Sequence, residues 1–151
     1  MHRLLTAIVI LIALAATGCG SSNDTKSTSS PAASKSSTAA STSASGNVNV
    51  VMKEFTIDPA PTSAPAGKVT FAVKNEGKVK HEFVVVKTSK AADELLKGEE
   101  ADEAGNVGEI GDLPPGSSKN LSMMLKAGHY VLLCNLPGHY KAGQHHDFTV
   151  N

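Results

Sequence analysis

Three side chains able to hold a soft transition metal stand at equal five-residue steps near the end of this chain. They are Cys134, His139 and Gln144, in Cys134-Asn-Leu-Pro-Gly-His139-Tyr-Lys-Ala-Gly-Gln144. The thiol follows directly on the apolar run Tyr130-Val-Leu-Leu133, so it stands at the end of a strand-like segment. A thiolate and an imidazole arriving together suit copper above other metals, provided a second imidazole comes from elsewhere. His81 is the obvious supplier. A chain that must bring residues 81 and 134 to one point is restricted to folds in which distant strand ends meet.

Only part of the 151 residues is available for that fold. Residues 1–18 run from a short basic head (His2, Arg3) through the apolar stretch Leu4 to Ala16 and on to Thr17-Gly18. The apolar stretch is too short to span a bilayer and reads as the hydrophobic region of a signal peptide, with which His2 is removed. Ala15-Ala16-Thr17-Gly18-Cys19 resembles the lipobox of bacterial lipoproteins, with Ala16 where a larger aliphatic residue is usual. The resemblance implies that Cys19 becomes the lipidated first residue of the mature chain. Residues 19–46 are then a lipidated cysteine and a Ser/Thr/Ala-rich linker, too poor in apolar surface to fold. Such a segment reaches roughly 30 Å.

The folded part is expected over residues 47–151, a single domain of ordinary size. It holds 11 Lys and 13 Asp plus Glu, and nothing in this slight acidity suggests nucleic acid as a partner. If Cys19 carries lipid, Cys134 has no disulfide partner, and metal ligation explains an unpaired cysteine in an exported domain.

Within the domain, short strands dominate. Val48, Val50 and Met52 alternate with polar residues, and Phe55 and Ile57 resume out of phase, as a β-bulge or strand bend would produce. Val69, Phe71 and Val73 mark a half-buried strand closed by Asn75-Glu-Gly77. The next, about residues 80–87, is apolar on both faces, and period two places His81 with Phe83 and Val85. Ser89 to Lys97 is the one helical candidate, stopped by Gly98. The acidic stretch that follows reads as a solvated connection, with a docking patch for a basic partner as the alternative. Leu121, Met123 and Leu125 form another strand, and Asp147 to Asn151 the last. The expected class is all-β, a Greek-key β-sandwich or barrel of about seven to eight strands with one short helix.

In a sandwich, strand ends of both sheets meet at one pole, so His81 can join the Cys134–Gln144 loop there. Two imidazoles and a thiolate in a plane, with a weak axial oxygen or thioether, describe a blue copper site. Zinc accepts a similar set, but structural zinc sites are tetrahedral and richer in cysteine. Met123 and Met124 stand on a strand before Cys134 and read as core residues. His129 reads as a surface or hydrogen-bonding group, and His145 and His146 as neighbours of the site outside the ligand set.

These features together resemble the cupredoxins, small blue copper proteins of the plastocyanin and azurin kind. The residues that carry the likeness are Lys80-His81-Glu-Phe83, Leu113-Pro-Pro-Gly-Ser117, Ala127-Gly-His-Tyr130 and Cys134-x4-His139-x4-Gln144. The resemblance implies one type 1 copper ion held by His81, Cys134, His139 and Gln144. Gln144 stands where most of the family has Met and is similar in type to the stellacyanin branch. That branch carries a disulfide which this chain lacks the cysteines to form. An amide oxygen is a harder ligand than a thioether and favours Cu(II), which lowers the reduction potential.

The sequence therefore points to a monomeric carrier of single electrons, exported and lipid-anchored at the outer face of the cell membrane or in the periplasm. It would exchange electrons with redox partner proteins. No nucleophile–base pair or general acid suggests an enzyme. The alternative is an exported module for copper storage or delivery built on the same ligands.

Overall fold

Alternating burial along the strands separates an inner from an outer face and so places every residue relative to the metal-binding pole. The structure, a computed structural model, describes residues 45–151. The expected signal peptide, Cys19 and the expected linker up to residue 44 lie outside the described residues.

The first strand, β1 (Ser45–Lys53), buries Val48, Val50 and Met52 and exposes Asn47 and Asn49. It begins at Ser45, so Ser45 and Gly46 pair with Lys68 and Val69 and belong to the sheet, not to a linker. The phase slip after Met52 is a chain reversal, not a bulge or bend. Glu54 and Phe55 form the tip of a hairpin, Lys53 pairs with Thr56, and Met52 with Ile57, which keeps both apolar residues on the core side. The return strand β2 (Thr56–Ala60) is an edge strand, where Pro59 costs no ladder bond.

Nine further strands follow: β3 (Ser63–Ala64), β4 (Gly67–Asn75), β5 (His81–Lys87), β6 (Leu96–Lys97), β7 (Glu100–Ala101), β8 (Asn106–Leu113), β9 (Ser118–Leu125), β10 (Gly128–Leu133) and β11 (His145–Val150). One sheet has the order β2-β1-β4-β9, with β1 and β4 parallel; the other has the order β3-β11-β10-β5-β8. Three of the eleven strands are only two residues long, so the eight longer ones agree with the expected sandwich. The inner faces share one apolar core, at whose centre Phe71 of β4 meets Phe83 of β5 and Phe148 of β11, with ring centroids 5.5 and 5.4 Å away. Each such buried side chain contributes roughly 1.5–3 kcal/mol through removal from water.

The helix expected over residues 89–97 does not form, and no α-helix occurs among the described residues. The segment makes turns and then the small β6–β7 ribbon. Its helix-forming residues are overridden by tertiary partners. Ala92 N donates to Asp147 Oδ1, Leu95 N to Tyr140 Oη, and Asp102 N to Leu95 O. These groups bond elsewhere instead of forming a helical ladder. In return, Ala92, Leu95 and Ala101 cover the second face of β5 and β10, burying Val84, Val86, Val131 and Leu133. That explains why the 80–87 segment is apolar on both sides.

Truncating Phe71 to Ala at the junction of the two sheets should cost about 3–5 kcal/mol. Chemical denaturation of the metal-free protein measures it.

Candidate metal centre

His81 opens β5 and, with Phe83 and Val85, points into the sandwich; its side chain is fully buried. The turn that leads to it is held from two sides. Asn75, itself buried, donates from Nδ2 to Val79 O at 2.8 Å and Leu113 O at 2.9 Å, and accepts from Gly77 N at 2.8 Å. The same residue binds the Leu113-Pro-Pro-Gly turn through Gly116 N, which donates to Asn75 O at 2.9 Å. From the β1–β2 hairpin tip, the Glu54 carboxylate accepts from Lys78 N and from Val79 N, the latter at 2.9 Å.

The remaining three residues come from the loop between β10 and β11. Its neck is closed by Cys134 N donating to Gln144 O at 3.0 Å. Inside it, His139 N reaches Leu136 O and Gln144 N reaches His139 O, so the chain winds in tight turns. Two of those turns need positive φ, at Gly138 (80°) and Gly143 (103°), where residues with a Cβ are strained.

All four side chains named from the sequence meet. The candidate donor atoms of His81, Cys134 and His139 lie within 4.8 Å of one another. His139 Nδ1 is 3.4 Å from Cys134 Sγ and 3.1 Å from Gln144 Oε1. Gln144 Nε2 donates to Lys53 O at 2.9 Å and lies 3.1 Å from His81 Nδ1, with Thr56 O at 3.4 Å. A carbonyl oxygen cannot donate to the Lys53 carbonyl, so the amide is fixed with Oε1 turned toward His139. His81 Nδ1, accepting from Gln144, directs its lone pair into the cluster. That leaves the proton on Nε2, which is buried without a hydrogen-bond partner.

These observations fit a metal better than a packed polar core. Burial pushes the His81 imidazole below its usual range, with His139 adding to the effect, so the ring is neutral and able to ligate. Burial also pushes the Cys134 thiol up, while the N–H groups of Glu82 and Leu136 act in the opposite direction. Glu82 N donates to Sγ at 3.3 Å, a bond that stabilises sulfur in the thiolate form. A thiolate with two imidazoles is a donor set for copper. His139 is the half-exposed member of the group, while His81, Cys134 and Gln144 are fully buried. Phe55 stands edge-on to the His139 ring at 5.3 Å.

Other candidates stand apart. Met123 packs against the core from β9, but Met124 is 70% exposed, because strand alternation turns it outward. His129 bridges Thr88 O at 3.0 Å and Asp147 Oδ1 at 2.9 Å. His145 lies against the Tyr140 ring at 4.8 Å. Sequence reasoning missed Glu54 and treated Asn75 only as a turn residue. The one available signal for Asn75 was its place in Asn-Glu-Gly directly ahead of His81.

Three backbone N–H groups, those of Glu54 itself, Lys78 and Val79, hold the Glu54 carboxyl below its ordinary 4.5. Its folded pKa is depressed, so its contribution is fully present above about pH 4.5 and is lost as pH falls through the lower folded value. Metal-free Glu54→Gln should therefore lose less stability than the parent between pH 6 and 3.5, as followed by urea unfolding.

Comparison with known proteins agrees with this arrangement. Residues 8–144 match the cupredoxin-like domain family. The copper-resistant cuproprotein CopI of Rubrivivax gelatinosus is 30% identical over 100 residues, 64% of this chain; the chain spans 61% of that relative's length. Among solved structures, the dithionite-reduced auracyanin of Roseiflexus castenholzii superposes with a TM-score of 0.56 at 24% identity, covering 72% of this chain and 98% of that one. Auracyanin A of Chloroflexus aurantiacus, a "blue" copper protein, gives 0.54 at 22%, covering 71% and 99%. Rusticyanin from Thiobacillus ferrooxidans gives 0.53 at 18%, covering 70% and 77%. With its two-sheet fold, its polar pole and this match over most of its length, the chain belongs to the cupredoxin-like domain family.

Proposed function

We propose that this protein is a lipid-tethered cupredoxin that carries single electrons outside the cytoplasmic membrane. Copper is the cofactor: relatives in the family bind one copper ion, and His81, Cys134 and His139 bring the matching donors together. Gln144 would be a fourth, weaker ligand, through Oε1. The carrying observation is the contrast in exposure, with three members of the group buried and His139 reaching the surface.

A bound copper ion supplies a Cu(II)/Cu(I) couple. The chain's part is to hold the donors in place, exclude water, and offer one edge to a partner. The hydrogen bonds on Asn75, Glu54 and Gln144 fix His81 and the amide before any metal binds. Little then has to move when an electron arrives. His139 is the exit edge, and Leu136, Pro137 and Gly138 beside it give a small surface for brief docking of a redox partner protein.

Copper storage or delivery is the second reading, and it is supported by the relative described as a copper-resistant cuproprotein. A strong visible thiolate-to-copper band that persists through redox cycling supports electron transfer. A colourless, readily exchanged Cu(I) form supports delivery.

Three substitutions test the proposal. Cys134→Ser should abolish the visible band; a retained band overturns the ligand assignment. Gln144→Met should raise the reduction potential, because a thioether favours Cu(I) where an amide oxygen favours Cu(II); potentiometry showing no rise removes its role as a ligand. Cys19→Ser should move the protein from the membrane fraction to the soluble fraction of cells producing the full chain.

A further inference from the structure

The ligand loop has two sides, and only the inner one holds the candidate donors. The residues that directly follow them, Asn135, Tyr140 and His145, repeat the same five-residue step and face the excursion formed by residues 88–104. Asn135 spends its whole side chain there. Its Oδ1 accepts from Ala101 N at 2.6 Å, and Nδ2 donates to Ala101 O at 3.2 Å and to Glu103 Oε1 at 2.6 Å.

Around His139 the fastening is as dense. Gly138 N donates to Glu99 O at 3.1 Å, and Lys141 Nζ lies 2.7 Å from Glu99 Oε1. Tyr140, only 2% exposed, accepts from Leu95 N at 2.9 Å and donates to Ala92 O. Its ring also carries His145, the neighbour of Gln144. The strands of the excursion, β6 and β7, form a ladder only with each other and join neither large sheet. Covering Val84, Val86, Val131 and Leu133 requires apolar side chains alone. It does not require hydrogen bonds to Asn135 and Tyr140, the residues after Cys134 and His139.

We infer that the 88–104 excursion clamps the ligand loop from outside, with Asn135 and Tyr140 as positioning residues that slow the release of copper. This rests on the copper site proposed above. The physical step is ordinary: a metal leaves a multidentate site one bond at a time, and a detached donor held near its place rebinds before the next bond breaks. His139 can swing away only if the loop opens locally, and local opening is governed by the bonds that oppose it. The clamp supplies those bonds without touching the metal.

The test uses the full-length protein, with Tyr140→Phe, which keeps the ring and removes the hydroxyl, and Asn135→Ala. Val150→Ala, a core truncation near the opposite end of β11, serves as a stability control. Two quantities are read: transfer of Cu(I) to an excess of chelator without oxygen, and hydrogen exchange of the Leu95, Ala101 and Gly138 amides in metal-free protein. Both loop variants should release copper on the order of tenfold faster, the effect of about 1.4 kcal/mol. Their three amides should exchange faster as well, while Val150→Ala releases copper at the parent rate despite its lower melting temperature. Release from the loop variants at the parent rate overturns the inference, and so does equal acceleration by Val150→Ala. A parent protein that takes up no copper refutes the site itself. In that case the role in copper release falls with the site, and the amide exchange decides only whether the excursion holds the loop: unchanged protection in both loop variants refutes that as well.

Discussion

Polar atoms enclosed in a protein interior must answer one another, and the pole of this sandwich is built on that requirement. His81 and Gln144 are fully buried, as is the Cys134 sulfur. The Glu54 carboxylate acts on His81, but it does not offset that residue's loss of water. Apart from His81 Nε2, which has no partner, the polar atoms of these three residues are answered by a neighbour in the same cluster or by a backbone group whose position the sheets determine. The amide of Gln144 is the clearest case, since it joins a residue near the end of the chain to the carbonyls of Lys53 and Thr56, about ninety residues earlier. The site therefore forms only when the first hairpin, the start of β5 and the last loop are all in place.

That dependence divides the labour between the two sheets and their connections. The shared apolar core around Phe71 fixes where the strands end, and it does so without regard to chemistry at the pole. Short polar devices then convert strand ends into aimed side chains. Asn75 and Glu54 set the turn ahead of His81, and the Cys134–Gln144 backbone bond closes the loop. Phe55, at the hairpin tip, limits the freedom of the His139 ring, the one donor open to solvent. Rigidity of this kind is what an electron carrier and a slow-releasing copper store would each need, which is why the fold alone serves both readings.

The sequence made the sandwich and the donor set readable for different reasons. Strands with one face in the core advertise themselves by alternation, as from Val48 to Met52 and from Val69 to Val73. The four site residues stood out by type, because a thiol and imidazoles at loop spacing have few other uses. What could not be read depended on partners distant in the chain. Ser89 to Lys97 has helical composition, yet Tyr140 and Asp147 claim its backbone. Glu54 is an ordinary charged residue until the hairpin folds it over Lys78 and Val79. The slip between Met52 and Phe55 was visible, but a bulge and a reversal leave the same trace in a short alternating pattern. Met124 was misjudged because hydrophobic character outweighed its place on the outward side of β9.

The common five-residue step of Cys134, His139 and Gln144 on one side, and Asn135, Tyr140 and His145 on the other, limits how this protein can change over generations. A residue inserted between Cys134 and His139 would displace an inward-facing and an outward-facing side chain together. No single compensating substitution elsewhere could restore both. Loop length here is thus inherited as a unit with the 88–104 excursion. Variation in one should be accompanied by variation in the other across descendants of this sequence.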